Sequence, residues 1–249
     1  MSADGGLADR TRLLVLWSVP RARSTVFFKM MAERGDFLAV HEPFSNLAEF
    51  GSVRIGGRAL GTQGAVLDAL RDAARRRPVF VKDTTDERYP DVLADERFLA
   101  ADARHTFLIR HPRETIASYR ALNPDVRCHQ IGFAALHEIF TAVRRATGRV
   151  PLVIDSADLI ADPAGVVRGY CQASFIDFRP AALNWPPGPR PEWQPTQRWH
   201  VRASATRGFE STETDYDLDV TSHSVLGGYL RYHLPFYEEL RPHRLIPDG

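Results

Sequence analysis

The residues of this chain that are suited to chemistry are cations and hydroxyls, and they gather where apolar runs end. Ser18-Val19-Pro20-Arg21-Ala22-Arg23-Ser24-Thr25 follows the apolar run Leu13 to Trp17. That run has the length of one buried parallel strand. Val26, Phe27, Met30 and Met31 then share one face of a helix, with Ser24 as its expected N-cap. A strand that turns into a helix points the helix's free N–H groups into the turn. The turn then suits an anion, and Arg21 and Arg23 add positive charge to it. The plain alternative is a solvated basic loop. The stretch is not a Walker A loop, which needs G-x-x-x-x-G-K-[ST], because residues 18–25 hold neither glycine nor lysine.

Further candidates stand at the ends of other apolar runs. Val79-Phe80-Val81 ends at Lys82. Of the 32 basic residues only Lys29 and Lys82 are lysine, and a compact ammonium suits a single oxyanion better than a guanidinium fork does. A neutral Lys-for-Arg exchange is the alternative. Thr106 to Ile109 ends at Arg110, and Pro112 fits the first turn of a following helix that carries Ser118. Phe37 to Val40 is an expected second strand, followed by His41-Glu42-Pro43. Proline pushes Glu42 to an extended conformation, and a carboxylate at such a strand end faces the ligand crevice of an open α/β sheet. Alternation would place His41 and Glu42 on opposite faces, so that at most one reaches a ligand, and would turn Asp83 away from Lys82 and Thr84.

PRARST resembles the PKSGT or PRSGST loop of the sulfotransferases that use 3′-phosphoadenosine 5′-phosphosulfate (PAPS), and the PRxRST loop of some bacterial members. Arg21 stands at the family's Lys or Arg, Ser24 and Thr25 at its hydroxyl residues, and Arg23 at its usual glycine. Arg110-His111-Pro112 with Ser118-Tyr119 resembles the family's 3′-phosphate motif, in which Arg and Ser lie eight residues apart. Lys82-Asp83-Thr84 stands where cytosolic members read K-T-H: the lysine is kept, but Thr84, which is no base near neutral pH, replaces the His. The resemblance spans roughly residues 13–175. It implies a three-layer, P-loop-like α/β fold with a mostly parallel central sheet flanked by helices.

The resemblance also implies PAPS as co-substrate and assigns roles. Arg21, Ala22, Arg23, Ser24 and Thr25 would hold the 5′-phosphosulfate, and Arg110 and Ser118 the 3′-phosphate. Arg21 and Lys82 would stabilise charge. Glu42 matches a Glu that some bacterial and Golgi members use as base, with His41 as the alternative base and an ion pair of Glu42 with Arg21 or Arg23 as the structural one. Arg207-Gly208 faintly echoes the R-K-G segment that closes on the cofactor. Two rival functions stand beside this one. A kinase of the same fold class lacks support, since there is no P-loop lysine-hydroxyl pair and no obvious Mg²⁺ carboxylate. A nucleotide-binding homologue without a base is the other.

These residues must be positioned by a chain of 249 residues, enough for one α/β domain or two small ones. A single domain over residues 11–249 is expected, behind a mobile tail at 1–10. The net charge of +1 asks for neither nucleic acid nor an anionic membrane. No apolar run approaches the roughly 18 residues of a membrane span, and the first residues have no signal-peptide core. Cys128 and Cys171 lack metal-ligand spacing and read as reduced thiols of a cytoplasmic protein. No metal is expected, and the resemblance implies a small-molecule acceptor as partner.

The remaining elements follow in order. Residues 51–61 are glycine-rich and read as a mobile loop, and Gln63–Arg77 as a helix. Residues 132–148 form an amphipathic helix stopped by Gly148, with His137 packed or exposed, and a strand spans 151–154. Asp162 caps a helix whose first residue is Pro163. Residues 185–199 hold five prolines and three tryptophans, too much proline for regular structure, and residues 185–209 are expected to lie as a lid over the site rather than as a linker. Two terminal helices, about 219–232 and 235–244, are broken by Pro235. The acceptor, the choice of O- or N-sulfation, the base and the oligomeric state stay open.

Overall fold

The computed structural model describes residues 11–194, 196–210, 216 and 218–247; the expected tail at 1–10 lies outside them. β1 (Leu13–Ser18) is buried at every position, as befits an apolar run covered on both faces. α1 (Ser24–Glu33) leads to β2 (Leu38–His41), then α2 (Pro43–Phe50). A small hairpin, β3 (Val53–Ile55) and β4 (Arg58–Leu60), precedes α3 (Gln63–Arg76), β5 (Val79–Thr84) and α4 (Pro90–Ala94). β6 (Arg104–Ile109) is followed by α5 (Pro112–Arg120) and α6 (Phe133–Thr147). β7 (Leu152–Asp155), α7 (Ser156–Ala161), α8 (Pro163–Ala173), α9 (Val201–Ala205) and α10 (Leu226–Leu240) complete the chain.

The central sheet has the order β2-β5-β1-β6-β7, and every pairing in it is parallel. With helices flanking it, this is the expected α/β architecture. The register sets Ser18 beside Thr84, His41 beside Lys82 and Ile109 beside Asp155, so all five strands end at one edge. From β1 the chain leaves toward β2, and from β5 it crosses to β6 on the other side. The crevice at the carboxyl end of β1 is therefore a topological switch point, where open α/β sheets bind ligands.

Three local readings are corrected. The glycine-rich stretch 51–61 is not a loop throughout: Val53–Ile55 pairs antiparallel with Arg58–Leu60, and Gly56 and Gly57 turn with φ of 57° and 82°, as a two-residue hairpin requires. Pro235 does not divide the terminal region, because α10 runs through it. Burial of Leu230, His233, Tyr237 and Leu240 on one face outweighs the amide that proline removes. Ser24 is not an N-cap; that position falls on Arg23, whose side chain makes no capping bond. The Asp162 cap is as expected, its carboxylate accepting from the Gly165 amide at 2.9 Å.

Two contacts tie the sheet to its surroundings. The Trp17 indole donates to His105 Nδ1 at 3.0 Å, and His105 Nε2 lies 2.9 Å from the Phe98 carbonyl. The ring is thereby held neutral with its proton on Nε2, and burial lowers its pKa to about 4. Gly132, at φ 88°, precedes α6; a Cβ there would lie 2.8 Å from Pro20 Cδ and 2.9 Å from the Thr85 carbonyl oxygen. Among the described residues no helix is long and apolar enough to cross a membrane, and both cysteines are free thiols.

Candidate active site

The loop from β1 into α1 is built on left-handed backbone. Arg21 and Arg23 have φ of 63° and 66°, a conformation that costs a non-glycine residue roughly 1–2 kcal/mol. Such strain concentrates at functional sites. The turn brings Ser24 and Thr25 to the N-terminus of α1, where helix amides precede any carbonyl that could accept from them. Arg21 donates through Nε to Ser118 Oγ at 3.3 Å and through Nη1 to the Trp199 carbonyl at 3.0 Å. Arg110 reaches back to the Arg21 carbonyl at 3.0 Å and pairs with Glu114 at 2.8 Å. Arg23 donates to Ser156 Oγ at 3.4 Å. Burial lowers the pKa of Arg21, and the charges of Arg110 and Arg202 lower it further against the Tyr216 hydroxyl. Burial and then Arg110 act likewise on Arg23. Crowded cations at a helix N-terminus form a site that an anion would relax.

Beside this cluster lies a carboxylate–ammonium pair. β5 does not end at Lys82 but runs on to Thr84; Lys82, buried two residues before its end, donates to Glu42. Glu42 is the N-cap of α2 with a left-handed φ of 48°, so strand alternation ends at His41. The expected opposition of His41 and Glu42 therefore fails: His41 Nδ1 lies 3.6 Å from the Glu42 carboxylate. Burial acts to raise the Glu42 pKa, but Lys82, His41 and His200 outweigh it and hold the carboxyl down at about 2. The structural partner of Glu42 is thus Lys82, neither Arg21 nor Arg23. Asp83 turns the other way, accepting from the amides of Phe44 at 2.7 Å and Ser45 at 3.2 Å. It fixes the start of α2, and with it Glu42.

These groups line one cleft of about 340 Å³, which includes Arg21, Arg23, Ser24, Thr25, Glu42, Lys82, Arg110 and Ser118. A larger opening lies at the opposite edge of the sheet, around Arg12 and Arg104, away from these groups.

The sulfotransferase domain profile matches residues 12–243. The chain belongs to the sulfotransferase domain family. Two curated relatives from Arabidopsis thaliana, branched-chain-amino-acid aminotransferase-like proteins 2 and 1, are 26% and 28% identical over 238 residues. That alignment covers 91% of this chain but only 41% of each relative. A crystal structure of a sulfotransferase from Alicyclobacillus acidocaldarius superimposes with a TM-score of 0.53 at 12% identity, covering 94% of this chain and 96% of that one. It shares the fold.

Within the sulfotransferase domain most of the sequence-based candidates meet in the cleft, with four exceptions, Ala22, His41, Arg207 and Gly208. Ala22 is fully buried in the loop beneath it. His41 is buried beside Glu42 without lining the cleft, and neither of its ring nitrogens has a hydrogen-bond partner. Arg207 and Gly208 lie outside the lining; their place in it is taken by Arg202, on α9. The tryptophan-rich stretch packs closely. Trp193 is fully buried, the Trp185 indole donates to Thr206 Oγ1 at 3.1 Å, and Trp199 meets Tyr119 edge-on at 5.6 Å. Lys29 of α1 donates to the carbonyls of Ala203 and Thr206 at 3.4 and 3.3 Å, where the end of α9 favours a cation.

Sequence reasoning missed His200. Its Nδ1 lies 3.2 Å from Thr25 Oγ1 and its Nε2 lies 3.2 Å from Thr196 Oγ1, and burial lowers its pKa to about 4. No local pattern marks it, because its partners are contributed by α1 and its own loop. The fold also assembles a trio without sequence spacing: ligand atoms of His41, Glu42 and His200 lie within 4.8 Å of one another. Lys82 already places a cation on that carboxylate.

Proposed function

We propose that this chain transfers a sulfuryl group from PAPS to a hydroxyl or amine of a small-molecule acceptor. The observation that carries the reading is the convergence of Arg21, Arg23 and Arg110 with Ser24, Thr25 and Ser118 around the α1 N-terminus, next to the Lys82–Glu42 pair. Arg110 and Ser118 hold the 3′-phosphate from two sides, as a fork and a hydroxyl can. The amides and hydroxyls of Ser24 and Thr25, with Arg21 and Arg23, hold the 5′-phosphosulfate. The bound donor supplies an electrophilic sulfur and a phosphate leaving group.

Little covalent chemistry is then asked of the protein, as in phosphoryl transfer. Its residues orient the reactants and place positive charge where negative charge develops. Lys82 moves its ammonium from Glu42 to the oxygen that receives the departing electron pair. Relieved of that cation, the Glu42 carboxyl becomes more basic and takes the acceptor's proton. Calorimetry tests the reading with 3′-phosphoadenosine 5′-phosphate, AMP, and ATP with Mg²⁺. The 3′-phosphorylated nucleotide should bind tightest. Arg110→Ala should weaken it by about 2–5 kcal/mol and leave AMP nearly unchanged. Equal losses for both nucleotides, or tighter binding of ATP with Mg²⁺, would overturn the assignment.

A further inference from the structure

The cleft is charged oppositely at its two ends. Arg21, Arg23 and Arg110 stand at the end near α1 and α5, while Glu42, Glu49, Asp86 and Glu87 line the end near α2 and the exit of β5. The cations at the acidic end are already engaged. Lys82 is bound by Glu42, and Arg198 lies 3.5 Å from Glu49. Among the described residues no basic group lies within ion-pair distance of Asp86, whose carboxylate accepts from the hydroxyls of Thr84 at 2.9 Å and Ser45 at 3.5 Å and from its own backbone amide. Thr84, whose hydroxyl Asp86 accepts, stands where K-T-H members carry their base, and both line the cleft.

A second observation comes from α5. Tyr119 is 6% exposed and lines the same cleft, yet its hydroxyl makes no hydrogen bond among the described residues. With its ring packed and its hydroxyl open to the cleft, Tyr119 has a polar group left for a ligand. Burial raises its pKa, and Asp86, Glu49 and Glu42 add to the effect against Arg21. The Trp199 ring meets that of Tyr119 edge-on, and both line the cleft.

Resting on the sulfotransferase reading, we propose that the acceptor is a hydroxylated amine, whose ammonium sits on Asp86 and Glu49 while its hydroxyl is presented to Glu42. The ammonium keeps its proton and takes no part in bond making. In the transfer the acceptor oxygen bonds to sulfur, the bond between sulfur and the 5′-phosphate oxygen breaks, and the electron pair stays on that phosphate. The hydroxyl proton goes to Glu42. Without a cation, burial and then Glu42 hold the Asp86 carboxyl up at about 6; an ammonium beside it favours the ionised form. An anionic acceptor would meet four carboxylates.

The test uses three phenols of matched shape with labelled PAPS: tyramine, 4-ethylphenol and 3-(4-hydroxyphenyl)propanoate. Tyramine should exceed 4-ethylphenol in kcat/KM by about tenfold or more, as one charge-assisted contact allows, with the propanoate the poorest. Asp86→Asn should bring tyramine and 4-ethylphenol to within about threefold of each other. Glu49→Gln, on the exposed face of α2, should narrow the gap without risk to the fold. Calorimetry of tyramine on protein loaded with 3′-phosphoadenosine 5′-phosphate is the second readout, and Asp86→Asn should weaken it about tenfold. Transfer to 4-ethylphenol at tyramine's rate overturns the inference and leaves the sulfotransferase reading standing. Tyramine that neither binds nor reacts also overturns it. Failure of the nucleotide itself to bind defeats the underlying reading instead.

Discussion

At the scale of single residues, the proposed mechanism turns on the Lys82–Glu42 pair, which would join a charge stabiliser to a base. A carboxyl held at about 2 by Lys82 is a weak base until that ammonium is drawn elsewhere, so the proposed mechanism would couple proton removal and leaving-group stabilisation through one contact. Glu42→Gln keeps the shape and removes the basicity. Single-turnover kinetics should show kcat lower by about 10²–10⁴ with nucleotide affinity nearly unchanged. His41 is fully buried and orients Glu42 from behind, so His41→Ala should retain measurable turnover. An inactive His41→Ala beside a normal Glu42→Gln would exchange the two roles. Arg23 is different: at φ 66° it occupies a backbone state in which a glycine is at ease, and in the proposed function it adds a cation to the site of the 5′-phosphosulfate.

At the scale of elements, the first loop is held by what packs beneath it and by what lies over it. Beneath, Gly132 admits Pro20 and the Thr85 carbonyl to within 3 Å of where a Cβ would stand, and Thr85 Oγ1 lies within donating distance of the Ser18 and Gly132 carbonyls, at 3.2 and 3.0 Å, its one proton serving either. Gly132→Ala should destabilise the fold by on the order of 2–5 kcal/mol, from left-handed strain plus overpacking. Urea denaturation measures it, and an unchanged midpoint would mean that the loop yields. Above, we propose that residues 185–209 act as a lid. They touch the loop through the bond from Arg21 to the Trp199 carbonyl and through His200 against Thr25. Hydrogen exchange of residues 196–206 should slow when nucleotide and acceptor are both bound. Exchange that is equally slow with and without ligands would mark a fixed wall.

At the scale of the whole molecule, acid stability follows from buried neutral histidine. His105 has a folded pKa of about 4 against roughly 6.5 unfolded. Between those values the unfolded chain binds the extra proton, so stability falls as the pH falls through this window. From pH 7 to pH 5 the loss from His105 is about 2 kcal/mol. His105→Gln, which can accept from Trp17 and donate to the Phe98 carbonyl, should remove that share of the pH dependence. Urea unfolding at the two pH values measures it, and an equal slope in wild type and variant would refute the assignment.

The amino-acid sequence by itself determined where the parallel strands run and where their ends carry chemistry. Leu13 to Trp17, Val79 to Val81 and Thr106 to Ile109 are continuous apolar runs, and in a parallel sheet such runs are buried on both faces. Arg21, Lys82, Arg110 and Ser118 were legible because strand ends share one edge. Asp162 with Pro163 was legible because a cap is a local bond. The tertiary structure alone decided the rest. Glu42 turned from its strand face because Asp83, distant in sequence, anchors the start of α2. Pro235 was carried through α10 by the packing on either side of it. His200, Asp86 and Tyr119 entered the cleft because loops and helices far apart in the chain converge on the end of β1. Spacing along the sequence encodes contacts within one element; contacts between elements depend on how those elements pack.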